Sequence, residues 1–248
     1  MQKKILILNF FFSNFKSKIV FLDFSDDGFD LGAYFKALKY VNEEYIYFFN
    51  STSRIVDNNF FKYSIKAMSD KKLGLLGWAG SFGTLRPSIN KIFFKFKINI
   101  NKNFISTIKN FLIDVILFPY DLLYLYKNFP KFPNPHSRSH AFLIKKNLYE
   151  DFSIISKYPR TKNEVLELES GKNGLTKFVQ KKGYDVKVLN SKNKLFDIRE
   201  CDKSETWRTG GKQHVLVADQ GHLTYEKMPI SRKLFKEYSA WQKINCIS

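Results

Sequence analysis

Residues 19–53 read IVFLDFSDDGFDLGAYFKALKYVNEEYIYFFNSTS. Ile19–Phe24 is a short apolar run that stops at Ser25-Asp26-Asp27-Gly28, the pattern of a buried strand entering a turn. From Leu31 to Val41 the apolar residues Leu31, Phe35, Leu38 and Val41 recur near one face of a helix. Tyr45–Phe49 is continuously apolar and aromatic, as expected of a parallel strand covered on both faces. Open α/β sheets bind ligands outside the carboxyl ends of their strands. The polar clusters Asp26–Asp30 and Asn50–Ser53 fall at such ends, so the unit is expected to bring Asp30 and Asn50 to one rim, the first candidate site.

The rest of the composition bounds this reading. The chain has 248 residues, 44% of them hydrophobic, enough for one large α/β domain or two small ones with a proper core. Its net charge is +18 and its pI about 9.7. That balance favours anionic partners such as a membrane face or phosphorylated substrates. Abundant Lys, Phe, Asn and Ile also fit compositional drift, which leaves the charge without a functional meaning. Nucleic acid is not expected as a partner, because no recognition motif stands out and the lysines are scattered. Cys201 and Cys246 make no disulfide framework, and a reducing compartment follows as the default. Met1-Gln2-Lys3-Lys4 and Ile5–Phe12 resemble the start of a signal peptide, yet Asn9 interrupts the run and no small-residue cleavage site follows. Ile5–Phe10 is therefore read as a first strand. The apolar stretch 111–126 is interrupted by Asp114, Pro119 and Asp121 and does not read as a membrane span. A cytoplasmic location is expected, with the protein peripheral on the inner face of the cytoplasmic membrane if the basic and aromatic segment described next rests there.

Further along, Asp57–Met68 predicts a helix capped by Asp57 or Asn58, with Phe60, Phe61, Ser64, Ile65 and Met68 at helical spacing. Leu73–Trp78 predicts a buried strand that ends in Ala79-Gly80-Ser81-Phe82-Gly83-Thr84, where small residues let backbone approach a substrate or merely make a turn. Residues 85–131 alternate lysines with aromatic and aliphatic residues and break at Pro119. They predict either a packed helical insertion or a surface resting on anionic lipid. In Phe132-Pro133-Asn134-Pro135-His136-Ser137-Arg138-Ser139-His140 two prolines pin an extended loop. Alternation there puts His136, Arg138 and His140 on one side, suited to a phosphate or a sugar hydroxyl. A metal site is the weaker reading, since no Asp, Glu or Cys accompanies them at ligand spacing. The loop enters a strand, Ala141–Ile144, followed by a helix, Lys146–Ile155. Glu167 and Glu169 stand just before a helix whose apolar face includes Leu175, Phe178 and Val179. They are either favoured there by its dipole or one of them is a catalytic base. Gly183–Leu189 predicts turn and strand. The tail, 205–242, holds Trp207, Arg208, Gln213, His214, Asp219 and Tyr225, with Gly210-Gly211 as a mobile connection.

Several of these segments, in this order, resemble a bacterial glycosyltransferase-like family met in polysaccharide gene clusters and related to rhamnan-synthesis proteins. The segments are Gly28-Phe29-Asp30-Leu31-Gly32-Ala33-Tyr34, Phe48-Phe49-Asn50-Ser51, Gly74–Ser81, Phe132–Phe142 and Glu169–Lys177. Trp207 with Gln213–Gln220 and Tyr225 completes the series. The resemblance spans most of 19–241. It implies an α/β, GT-A-like nucleotide-diphospho-sugar transferase fold, an open and mostly parallel sheet flanked by helices, here without a counterpart of the first strand. It implies a single domain over 1–248, with 85–131 a helical, aromatic insertion and 205–248 an extension over the site. The implied function is transfer of a sugar from a nucleotide-sugar donor to a polysaccharide or lipid-linked glycan acceptor in the synthesis of bacterial lipopolysaccharide or capsule. A catalytically inactive carbohydrate- or membrane-binding relative is the alternative.

By this resemblance Asp30, Gly32, Asn50, Ser51 and Ser81 face the donor, and Glu169 is the base that deprotonates the acceptor hydroxyl. His136, Arg138, Arg208, Gln213, His214 and Asp219 contact acceptor or phosphate. No resident cofactor is implied beyond the nucleotide-sugar itself. A divalent Mg or Mn ion is poorly served, because Asn50-Ser51-Thr52 stands where the wider group carries Asp-x-Asp, and neutral groups are poor ligands for a hard cation. Arginine or histidine would then have to neutralise a leaving diphosphate. The departures Ser139-His140 for Thr-Asn and Gln220 for Asn fall in the same segments.

Overall fold

The computed structural model describes residues 20, 22–25, 27–86, 94, 96–97, 104–210 and 213–242, with backbone alone for 104–105 and 114–122. The expected strand Ile5–Phe10, most of Leu85–Asn103 and Gly211 lie outside them. The described residues of 20–25 form no strand, and Val20 and Leu22 are exposed, so the expected buried strand Ile19–Phe24 is not made there.

Five strands build the central sheet: β1 (Tyr45–Phe49), β3 (Leu73–Gly77), β6 (Ala141–Lys145), β7 (Asp185–Leu189) and β8 (Leu195–Asp197), in the order β1-β6-β3-β7-β8. Two-residue pairs stand beside it: β2 (Arg54–Ile55) with β9 (Val217–Ala218), and β4 (Gly80–Ser81) with β5 (His136–Ser137). The structure is α/β, but the expectation of a mostly parallel sheet fails. Among the described residues only β3 and β7 pair in parallel; β1 with β6, β3 with β6, and β7 with β8 are antiparallel. The reversed strand β6 sits between β1 and β3, in register Tyr47↔Leu143 and Leu76↔Leu143. The apolar run of β1 reports that both its faces are covered, and it is silent on the direction of the neighbouring strand.

That double cover is aromatic. Against one face, Phe48 packs with Tyr34 of helix α1 (Phe29–Ala37), with centroids 4.5 Å apart, and with Tyr149 of α4 (Lys146–Ile155), 4.6 Å away. On the other face Tyr47 and Phe49 stack on Trp78, which meets Phe60 of α2 (Phe60–Met68) at 4.9 Å. Trp78, Phe60, Phe142 and Tyr149 are fully buried, and rings packed in this way add about 0.5–1.5 kcal/mol per pair to the gain from area. Helix α2 starts three residues later than expected. Asp57 accepts the Asn59 N–H (2.8 Å), while Phe61 and Ile65 face solvent and Ala67 takes the inward position.

The remaining helices are α3 (Phe104–Asn128), α5 (Lys162–Ser170), α6 (Leu175–Lys181), α7 (Gln220–Glu226) and α8 (Ile230–Trp241), with a 3-10 segment over Ile198–Ser204. α3 runs on through Pro119, where the sequence predicts a break. Within the turn after β3, Gly80 is a packing position. A Cβ on Gly80 would lie 2.6 Å from the Cys201 sulfur and 2.7 Å from its Cβ, so Gly80 is what lets the 3-10 segment seat against the sheet. Gly80→Ala is expected to lower stability by about 1–3 kcal/mol through overpacking. A urea midpoint equal to that of the parent chain would contradict this.

Candidate active site

Beyond the carboxyl end of β3 the chain makes the β4–β5 pair, with Ser81 opposite His136 and Gly80 opposite Ser137. The Pro-rich loop delivers β5. From the other side comes α5, whose first turn is fixed by a capping box between Thr161 and Glu164. Its last turn carries Glu169 and Ser170. Asn134 Nδ2 donates to the Ser170 carbonyl (2.7 Å), tying the loop to the helix end.

Glu169 is only 6% exposed. Its carboxylate accepts from Arg138 Nη1, from the Ser139 hydroxyl, and from the Ser139 backbone N–H at 3.1 Å. Burial pushes this carboxyl up, but Arg138, His136 and the two Ser139 donors outweigh it and hold it below the ordinary carboxylate range. The dipole reading made for Glu167 and Glu169 is corrected here. Both lie within α5, Glu169 in its last turn, where the helix dipole disfavours a negative charge. Its partners stabilise the charge instead. Glu167 accepts from the Tyr124 hydroxyl (3.0 Å) on α3.

His136 Nε2 stands 3.8 Å from Glu169. Its Nδ1 is 2.8 Å from the Asn134 carbonyl and must donate to it, so Nε2 of the neutral ring keeps its lone pair. Burial brings this histidine down to about 4, against the opposing pull of Glu169. Arg138 follows β5, and its N–H donates to the Ala79 carbonyl (2.9 Å). Its guanidinium also lies over the Trp207 ring, 5.0 Å from the centroid, and Arg208 covers the same ring at 4.5 Å. Arg208 has a left-handed backbone, φ 46°, held by its N–H bond to Gln213 Oε1 (2.9 Å). Burial and the neighbouring Arg138 lower it to about 10, still cationic at neutral pH. Trp207 itself is 2% exposed, fixed by the Trp241 Nε1 bond to its carbonyl (3.0 Å) and by the edge of His222.

These groups line a cleft of about 240 Å³ together with Ser81, Gly83, Thr84, Leu166, Ser170, Ser239 and Ala240. The cleft therefore gathers Ser81, His136, Arg138, Glu169 and Arg208 from the expected set, with Gln213 directly behind Arg208. The remaining residues go elsewhere. Asn50 Oδ1 is taken up by its own turn, accepting from Thr52 N (3.1 Å), Thr52 Oγ1 (3.0 Å) and Ser53 Oγ (2.8 Å), and Ser51 is exposed beside it. Asp30 is exposed in the first turn of α1. Gly32 is a packing residue, since a Cβ there would meet the Tyr158 hydroxyl at 2.8 Å. None of these four lines the cleft, so the expected common rim of Asp30 and Asn50 is not where the charged groups meet. Even so, Leu31 shares a small second cavity with Arg138, Ser139, Leu168 and Glu169, which puts the start of α1 on the Glu169 side of the sheet. His214 Nε2 faces Glu205 (3.4 Å), and Asp219 caps α7 and bonds His222 Nδ1 (2.7 Å). Burial raises the Asp219 carboxyl, but His222 and His140 hold it well below the carboxylate range.

His140 parts company with His136 and Arg138 because residues 139–140 form a turn and end the alternation; its ring packs near Trp207 and His222. Among the described residues no group of three or more His, Cys, Asp or Glu is placed to hold a metal ion. Sequence reasoning missed Ser139 as a double donor to Glu169, and Trp207 as the platform for two arginines. The adjacency Trp207-Arg208 was the one local signal, and it gives no sign of the φ that folds one side chain over the other. No protein family, curated protein or solved structure matches this chain.

His136 and His140 are both lowered to about 4 by burial, whereas an unfolded histidine titrates near 6.5. Between these values the unfolded chain binds more protons than the folded one, so stability is full above pH ~6.5 and is lost as pH falls toward ~4. Each ring accounts for on the order of 2–3 kcal/mol of this loss. Thermal melts from pH 7 to 5 should show a falling Tm, with a shallower slope for His140→Gln. A flat Tm over that interval would contradict the assignment.

Proposed function

We propose that this chain is a GT-A-like glycosyltransferase that moves a sugar from a nucleotide-sugar to a glycan or lipid-linked acceptor in bacterial surface polysaccharide synthesis. The observation that carries the reading is the pair of guanidiniums, Arg138 and Arg208, laid on one indole at a cleft whose floor holds Glu169. Among the described residues Glu169 is the one carboxylate in ion-pair contact with either arginine. Such a cleft has positive charge to spare and suits a diphosphate, binding and stabilising it as the sugar–phosphate bond breaks. The two arginines take the place that a divalent ion has in the wider group.

Glu169 is the base. Its low pKa keeps it ionised, and it lines the cleft, which are the two conditions a base for an acceptor hydroxyl must meet. His136 Nε2 accepts from a second hydroxyl, and Ser81 stands beside it on the neighbouring strand. The GT-A-like frame belongs to the same proposal. Its support is that β1, β3 and β7 run the same way, with small or polar residues after each of them: Asn50, Ala79–Ser81 and Asn190.

One observation favours the alternative, a carbohydrate- or phosphate-binding protein without turnover. Both oxygens of Glu169 already accept bonds from Arg138 and Ser139, and Asp30, Asn50 and Ser51 stand away from the cleft. A panel of nucleotide-sugars, with and without manganese, separates the two by nucleotide release. Transfer is expected with at least one donor and without the metal. Glu169→Gln should cut kcat by roughly 100-fold or more, the usual worth of a positioned base. Arg208→Gln should raise donor KM and lower kcat as well, because the cation both binds the diphosphate and stabilises it as it leaves. Tight binding with no release would establish the alternative, and full activity in Glu169→Gln would remove the base.

A further inference from the structure

α3 is 25 residues long, about 37 Å of helix. Leu112, Ile113, Leu123 and Tyr124 are exposed on it, Leu123 to 85%, and so are Lys109 and Lys127. At helical spacing these six positions fall within an arc of about 120°. Thr107, which is buried, lies on the opposite side. The helix thus turns a leucine- and tyrosine-bearing face to solvent, with a lysine near each end.

The charge of the segment around that face is predominantly positive. Residues 85–131 contain eight lysines and arginines against two aspartates, within a chain of net charge +18. Lys131 is exposed just past the helix, and Arg86 lies 3.8 Å over the Tyr126 ring. An apolar stripe set among lysines matches the boundary of an anionic bilayer, where aliphatic side chains enter the acyl edge and lysines reach the phosphates. Among the described residues no helix is long and apolar enough to cross a membrane. α3 therefore has the character of a helix that lies on a bilayer.

We propose that α3 docks this protein on an anionic lipid surface through Leu112, Ile113 and Leu123, with Lys109 and Lys127 on lipid phosphates. The helix is not a loose appendage. Tyr124 donates to Glu167 of α5 (3.0 Å), and Lys172, just past α5, bonds the Asn128 carbonyl through its N–H (2.8 Å) and the Tyr126 carbonyl through Nζ (2.9 Å). α5 in turn lends Leu166, Glu169 and Ser170 to the cleft. Docking α3 therefore fixes the cleft wall relative to the lipid, as a ligand anchored in that surface requires. The inference stands whether or not the cleft transfers sugar.

The test is co-sedimentation of the full chain with vesicles of phosphatidylcholine alone or with about one third phosphatidylglycerol. Binding is expected on the anionic vesicles only, weakening as salt rises from about 0.05 to 0.5 M. Leu112→Asp with Leu123→Asp should lower the bound fraction roughly ten-fold at unchanged circular dichroism. Lys109→Glu with Lys127→Glu, at exposed positions that tolerate the change, should do the same and serves if the first pair fails to fold. No binding, equal binding to both vesicles, or a dimer in solution that the leucine variants dissolve would each overturn the proposal. Sugar transfer by a protein that ignores vesicles would overturn it while leaving the transferase reading intact.

Discussion

A carboxylate taken out of water loses several kcal/mol of hydration and persists only where charged and polar partners replace it. Glu169 meets that condition through Arg138 and two donors from Ser139. The arrangement forces the end of α5 against the residues that follow β5. It turns the chain at residues 139–140 so that Ala141 can enter the sheet opposite Phe49. It also holds the Arg138 guanidinium over Trp207, and with it the C-terminal segment. One ion pair thus joins helix, sheet and tail at a single point, and the cleft is the space left between them.

The second consequence is electrostatic. With Arg138 answered by Glu169, Arg208 is the added cation, raised onto the same indole by a left-handed backbone. Burial first, and the neighbouring Arg138 guanidinium second, disfavour the charge on Arg208. An anion entering the cleft favours that charge, which is the physical reason to expect a phosphate there. The C-terminal segment supplies Trp207, Arg208, Ser239 and Ala240, so the cleft is completed late in the chain.

Much of this frame was legible in the residues. The apolar runs 45–49, 73–78 and 141–144 each became a strand within a residue, because cover on two faces leaves a continuous signature, and the strand expected within 183–189 is made by the alternating Asp185–Leu189. Strand direction left no signature, so β6 could not be seen as reversed. Glu169 was expected just before a helix and lies instead in the last turn of one. Ser170-Gly171-Lys172-Asn173-Gly174 reads as a beginning when it is the break between α5 and α6. Asp30 and Asn50 were expected to converge by analogy with a strand end. Asn50 instead spends its carbonyl on its own turn, a local competition for hydrogen bonds that spacing cannot reveal. Trp207 and Ser139 act through contacts across long stretches of chain, which no local pattern encodes.

The central claim, that the buried Glu169 carboxylate depends on its partly exposed partner Arg138, is tested most directly by a double-mutant cycle in chemical denaturation. Arg138→Met should cost about 3–5 kcal/mol by leaving the buried Glu169 carboxylate without its partner, and Glu169→Gln should cost less, because the Arg138 side chain is 26% exposed. The double variant should cost clearly less than the two together. Single variants within about 0.5 kcal/mol of the parent, or strictly additive losses, would contradict the account.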